Sequence, residues 1–168
     1  MLGISGKSVC FTGHRPQSTP YLWDENSIQS VNLKKEIKSV VIDLIENNNV
    51  AHFISGMAIG VDMISAEIVL DLKKKYPYIT LECAIPCKTQ AIKWSDKYRV
   101  RYFSIINQSD KNTVLQTQYT ADCMMKRNIY MVDKSDYVIA VWNGSPSGTG
   151  KTVLYAKENN KQIIQIKP

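Results

Sequence analysis

The stretch Gly144-Ser145-Pro146-Ser147-Gly148-Thr149-Gly150-Lys151-Thr152 ends as a phosphate-binding P-loop ends. In such a loop a glycine-rich backbone curls so that N–H groups, a lysine and a hydroxyl meet the phosphates of a nucleoside triphosphate. The pattern needs another glycine five residues before Gly150, and Ser145 stands there instead. Only 16 residues follow Thr152, where a P-loop domain goes on to its magnesium-binding strand. The stretch is therefore read as a generic phosphate cradle. Gly148, Thr149 and Thr152 offer N–H groups and hydroxyls at a helix start, and Lys151 is a solvated helix residue.

Two further clusters combine flexible backbone with charge. Gly13-His14-Arg15-Pro16 places a guanidinium, able to grip a phosphate through two parallel hydrogen bonds, in a loop that proline stiffens. His14 stacks on or hydrogen-bonds to a ligand in this reading; the alternative is a surface turn with a solvated Arg15, in which His14 simply closes the turn. Ser55-Gly56-Met57-Ala58-Ile59-Gly60-Val61-Asp62 has two glycines four apart, which let a backbone approach a ligand closely at the start of a helix. Asp62 holds ribose hydroxyls in one reading and only balances the helix dipole in the other.

The elements that must position these residues alternate along the whole chain. Strand-like runs are expected at Ser8–Thr12, Ala51–Ser55, Ile79–Ile85, Tyr102–Asn107, Tyr137–Trp142 and Gln162–Ile166. Helical periodicity falls between them: Leu33 to Ile45, Val61 to Leu72, a basic amphipathic segment from about Thr89 to Arg101, about Ala121 to Asp133, and about Thr152 to Glu158. Residues 108–120 are expected to form a long surface loop. The pattern predicts an α/β fold, Rossmann-like and doubly wound, with a mainly parallel sheet and helices on both faces. Ligands of such sheets bind beyond the carboxyl ends of the strands, where all three clusters fall.

The 168 residues correspond to one domain over 1–168, large enough to bury a core without disulfides or metals. No apolar run is long enough to cross a membrane and no leader is evident, so a cytoplasmic setting is expected. The four cysteines are scattered without a second pair at zinc-ligand spacing, and neither a metal nor a cofactor is expected. A net charge of +6 suits an anionic ligand, but its lysines and arginines are dispersed along helix faces.

Taken in order, these segments resemble the superfamily that joins the DNA-processing protein DprA (Smf) with the Lonely Guy phosphoribohydrolases. Ser55 to Asp62 is similar to the DprA pattern of Ser-Gly, Ala, Gly and Asp. Phe11-Thr12-Gly13-His14-Arg15-Pro16 and Lys126-Arg127-Asn128-Ile129-Tyr130-Met131-Val132-Asp133 look like its YpsA-like branch of bacterial and prophage proteins. Lonely Guy enzymes use an arginine in Arg-Lys-x-x-Met and a glutamate in Gly-Gly-x-Gly-Thr-x-x-Glu. Arg127 and Met131 match the first segment, so the resemblance implies a phosphate- or ribose-binding arginine with Asn128 beside it. In the second, Gly148 and Thr149 match, Ser145-Pro146 replace the paired glycines, and Thr152 stands in the place of the glutamate. A threonine neither stabilises a cation-like sugar nor activates water.

The resemblance therefore implies a nucleotide pocket more than a reaction. The ligand expected is ADP-ribose or an NAD-derived molecule, held without turnover by Gly13, His14, Arg15, Pro16, Ser55, Gly56, Gly60, Asp62, Arg127, Asn128, Gly148, Thr149 and Thr152. The competing reading is an N-glycoside hydrolase with Asp62 or Asp133 as its carboxylate. A single-stranded DNA binder is the third; without a dense basic and aromatic patch or a winged-helix domain, nucleic acid is not expected as a partner. Trp94, Tyr98, Tyr130, Trp142 and Tyr155 are candidates to stack on an adenine, and an apolar helix face leaves room for a homodimer.

Overall fold

The structure, a computed structural model, describes residues 6–168. Among them six strands form one sheet: β1 (Lys7–Gly13), β2 (Val50–Ser55), β3 (Thr80–Ile85), β4 (Lys111–Val114), β5 (Tyr137–Val141) and β6 (Gln162–Ile166). Their order is β4-β3-β2-β1-β5-β6, and every neighbouring pair runs parallel. The helices α1 (Ile28–Asn47), α2 (Val61–Leu72), α3 (Asp96–Gln108), α4 (Cys123–Asp133) and α5 (Gly148–Glu158) make the crossovers, with a short 3₁₀ turn at Pro20–Trp23.

Alternation along the strands divides the core into two layers. Val9, Phe11, Phe53, Leu81 and Ile139 pack against α1, α2 and α3. Cys10, Ile54, Ala84 and Val138 face Met131, Val132 and Ala156 of α4 and α5. Helices thus cover both faces, as doubly wound sheets require. All four cysteines are buried free thiols, and burial pushes Cys10 up to about 12 and Cys83 up to about 11. Among the described residues no helix is long and apolar enough to cross a membrane.

One expected strand is corrected. Tyr102–Asn107 is the second half of α3, whose buried residues Tyr102 and Ile105 recur at helical spacing while Phe103 turns to solvent. The fourth strand lies in the stretch expected to be loop. Lys-Asn-Thr-Val at 111–114 pairs only with β3, and an edge strand with three exposed residues gives no apolar signal. The helix expected from Thr89 begins at Asp96, and the one expected from Thr152 begins four residues earlier, where Ser147 caps it by accepting the Gly150 N–H at 3.0 Å.

Candidate functional site

From β1 the chain winds through β2, β3 and β4, then crosses back to place β5 on the other side of β1. This is the switch point at which such sheets hold ligands. A cavity of about 520 Å³ opens there, lined by the loop after β1, the α2 entrance, the first turns of α4 and the start of α5. Gly13, His14, Arg15, Asp62, Arg127, Asn128, Gly148 and Thr149 all line it.

Arg127 is buried at 3% exposure, and among the described residues it enters no ion pair. Its Nη1 donates to the Gly56 carbonyl, and its Nε donates to Asn128 Oδ1 at 2.9 Å. Burial lowers its pKa; Asp62 opposes that and Arg15 adds to it. Asp62, also buried, accepts the Ala58 N–H at 3.2 Å through Oδ2. Burial raises its carboxyl against the pull of Arg127, the Ala58 hydrogen bond and Arg15. Arg15 is exposed at the cavity wall, in no ion pair among the described residues.

The DprA-like segment serves mainly to shape this floor. Ser55 Oγ donates to the Asp62 carbonyl at 2.8 Å and accepts the Met57 N–H at 3.2 Å, locking the loop rather than facing the cavity. Gly56 lets the Arg127 guanidinium lie against bare backbone: a Cβ there would fall 2.7 Å from Cζ. Gly60 caps α2 at φ +102°, a conformation that favours glycine, with Pro16 against it. Buried Met57 holds the left-handed conformation at φ +61°, between the Gly56 carbonyl and the Ala58 N–H that the two charged residues use. Pro16, Ser55, Gly56 and Gly60 thus position the lining rather than belong to it.

His14 is buried with Nε2 3.0 Å from Asn143 Oδ1, tying the loop after β1 to the loop after β5. Thr152 does not reach the cavity. It is fully buried; its hydroxyl donates to the Gly148 carbonyl at 2.9 Å and accepts from Asn128 Nδ2 at 3.0 Å, joining α5 to α4. A Thr152→Glu variant, which the family motif suggests as a way to restore catalysis, is instead expected to lose about 2 kcal/mol or more of unfolding free energy by burying a carboxylate in that joint. Urea denaturation measures it. Asp133 lies at the other end of α4, exposed and bonded to Tyr155 Oη at 2.7 Å. Asp62 is therefore the one carboxylate among the described lining residues.

Several lining or supporting residues carry no motif. Gln90 donates to the Gly56 carbonyl at 3.0 Å and accepts from Tyr102 Oη at 3.3 Å, a support contributed from 34 residues away. Met124, Met125, Gln17 and Ser18 line the cavity, and so does Lys151, read from sequence as merely solvated. No aromatic proposed for stacking lines it: Trp94 packs on Tyr102, Tyr98 on Trp23, Tyr130 donates to Glu82, and Trp142 to the Ser145 carbonyl.

Comparison with known proteins sets this geometry in a family. The sequence model of YpsA, described as the YspA SLOG family, matches residues 9–167. The chain belongs to this family. Among the relatives of this SLOG protein, the SPbeta prophage-derived protein YoqJ of Bacillus subtilis is 33% identical over 150 residues, covering 81% of this chain and 88% of its own. A UPF0398 protein of Brevibacillus brevis is 31% identical over 138 residues, covering 80% and 73%. Two solved DNA processing proteins share the fold over 97% of the chain: DprA of Helicobacter pylori with TM-score 0.64 and 21% identity, and DprA of Streptococcus pneumoniae with TM-score 0.65 and 18%. The chain spans 66% and 51% of their lengths. The expectation that nucleic acid is not a partner is overturned by these neighbours, since the Helicobacter pylori structure is described by its single-stranded DNA binding mode.

Proposed function

We propose that this SLOG protein binds a small phosphorylated nucleotide at the switch-point cavity, as a sensor or sequestering module without turnover, and that the ligand is ADP-ribose or an NAD-derived molecule. The observation that carries the reading is the coexistence of buried Asp62 and buried Arg127 at one cavity, neither in an ion pair among the described residues. Buried charges without a direct ion-pair partner cost stability and cluster where ligands supply one. Arg127 and Arg15 meet phosphate, together with the Gly148 and Thr149 N–H groups at the start of α5, where Ser147 already takes that of Gly150. Asp62 accepts ribose hydroxyls. Two anion-friendly loops and a volume of about 520 Å³ suit a dinucleotide-sized ligand. A cytoplasmic setting goes with such a ligand.

Retention without turnover draws on the scarcity of carboxylates at the cavity: the glutamate position of the family motif is held by Thr152, which is internal, and Asp133 lies at the far end of α4, which leaves Asp62 alone for hydrolysis. A second reading, single-stranded DNA binding, draws on the fold shared with DprA, because the same arginines suit a phosphodiester backbone.

Calorimetric titration with ADP-ribose, NAD, AMP, ATP and an oligodeoxythymidine tests these readings, with chromatography of each mixture after long incubation. Saturable binding with the nucleotide recovered intact supports the proposal. Released base or ribose phosphate makes Asp62 catalytic, and binding of the oligonucleotide alone, weakening steeply with salt, selects the second reading. ADP-ribose affinity is expected to fall as pH drops toward the raised pKa of Asp62, because protonation removes the negative charge and turns one acceptor oxygen into a donor, and burial moves that loss above the ordinary value of 3.8. Asp62→Asn is expected to bind about tenfold more weakly and to abolish this pH dependence.

A further inference from the structure

A nucleotide has a flat base as well as phosphates and sugar, and the cavity wall offers apolar as well as polar surface. The aromatic rings among the described lining residues are Phe11, which is fully buried, and His14, which is buried and tied to Asn143 Oδ1 at 3.0 Å. Besides Phe11 and Ala58, which are buried, the apolar lining comes from the entrance to α4, where Ala121 just before the helix and Met124 and Met125 in its first turn line the cavity and the two methionines are half-buried. Met124 is also anchored: its sulfur accepts from Arg127 Nη2 at 3.9 Å, so the thioether sits directly beside the guanidinium assigned to phosphate.

Resting on the nucleotide reading of this cavity, we infer that Met124 and Met125 form the surface that receives the heteroaromatic base of the ligand. A thioether is polarisable and makes favourable contacts with aromatic rings. Methionine's unbranched side chain adapts to rings of different outline, so the wall grips a base without reading its edge. Arg127, touching Met124 on one side and the Gly56 carbonyl on the other, fixes the distance between base wall and phosphate site.

The test compares AMP with ribose 5-phosphate, which differs from it by the base. The wild-type protein is expected to prefer AMP, and Met125→Ala to reduce the ratio of the two affinities about tenfold. Met125→Leu, which keeps the volume, is expected to restore part of that ratio. In wild-type protein labelled with ¹³C at its methionine methyl groups, AMP and not ribose 5-phosphate should shift two of the six methionine signals by ring current. Equal wild-type affinity for the two compounds, or an unchanged ratio in Met125→Ala with unmoved methyl signals, overturns the base wall and leaves the nucleotide reading standing. Failure of the wild type to bind either compound, or ADP-ribose, sinks both.

Discussion

Gly56→Ala is expected to abolish the proposed nucleotide binding and to lower the unfolding free energy by about 1–3 kcal/mol, the range for overpacking a filled interior. The new methyl would lie 2.7 Å from Cζ and Nη1 of Arg127 and 2.8 Å from Nε. The guanidinium cannot simply swing aside, because it is buried and anchored to the Gly56 carbonyl and to Asn128. Moving it breaks those bonds and misplaces the charge assigned to phosphate. Calorimetry and urea denaturation read the two effects. Gly148→Ala is the stability control: a Cβ there meets nothing within 4 Å, and the unfolding free energy should stay within about 0.5 kcal/mol of the wild type. Retained binding in Gly56→Ala would mean that the site does not depend on the observed position of Arg127.

The second large effect lies outside the cavity. Glu82 is 2% exposed in the middle of β3, where it accepts from His52 Nε2 at 2.8 Å, Tyr130 Oη at 2.6 Å and Thr113 Oγ1 at 2.7 Å, with Lys111 Nζ at 3.7 Å. Burial pushes its carboxyl up, but the hydrogen bonds from His52, Tyr130 and Thr113 outweigh it and bring the pKa down to about 2. Relative to the ordinary value of 4.5, that depression is worth about 3 kcal/mol of stability. The sign follows from the folded value lying below the unfolded one. The contribution is complete above about pH 4.5 and is lost as the pH falls through about 2. Glu82→Gln is expected to cost about 3 kcal/mol at neutral pH, with the gap to wild type closing over that acid window. Urea midpoints measured from pH 7 to 2 test it; a constant gap would show that Glu82 acts through shape rather than charge.

The sheet and its switch point were legible because β1, β2, β3 and β5 are largely buried and read as mainly apolar runs in spite of His52 and Glu82. The error came at the edge, where packing no longer dictates composition. Tyr102-Phe103-Ser104-Ile105-Ile106 is as apolar as a strand, whereas the strand itself, Lys111–Val114, is nearly as polar as a loop. In the cavity, residues with unusual chemistry stood out: Arg15, Asp62, Arg127 and the glycines around them. Gly56 was visible as a point of close approach, but what approaches is Arg127, a partner 71 residues away. Gln90 and Met125 had no pattern to betray them, since an amide or a thioether acquires its role only from what the fold sets opposite it. Thr152 shows the reverse: a motif position singled out by family likeness proves to be a rivet between two helices.

The four buried thiols make the chain its own reporter. Thiolate, the reactive form, is suppressed at Cys10 and Cys83, and all four sulfurs are sealed from solvent in the folded protein. An alkylating reagent therefore records only molecules that have opened. The positions divide between β1, β3, the turn after β3 and α4, so mass spectrometry of pulse-labelled protein times the opening of the central sheet separately from that of the cavity wall. A bound nucleotide, bridging α4 to the loop after β1, would announce itself as slower labelling at Cys123.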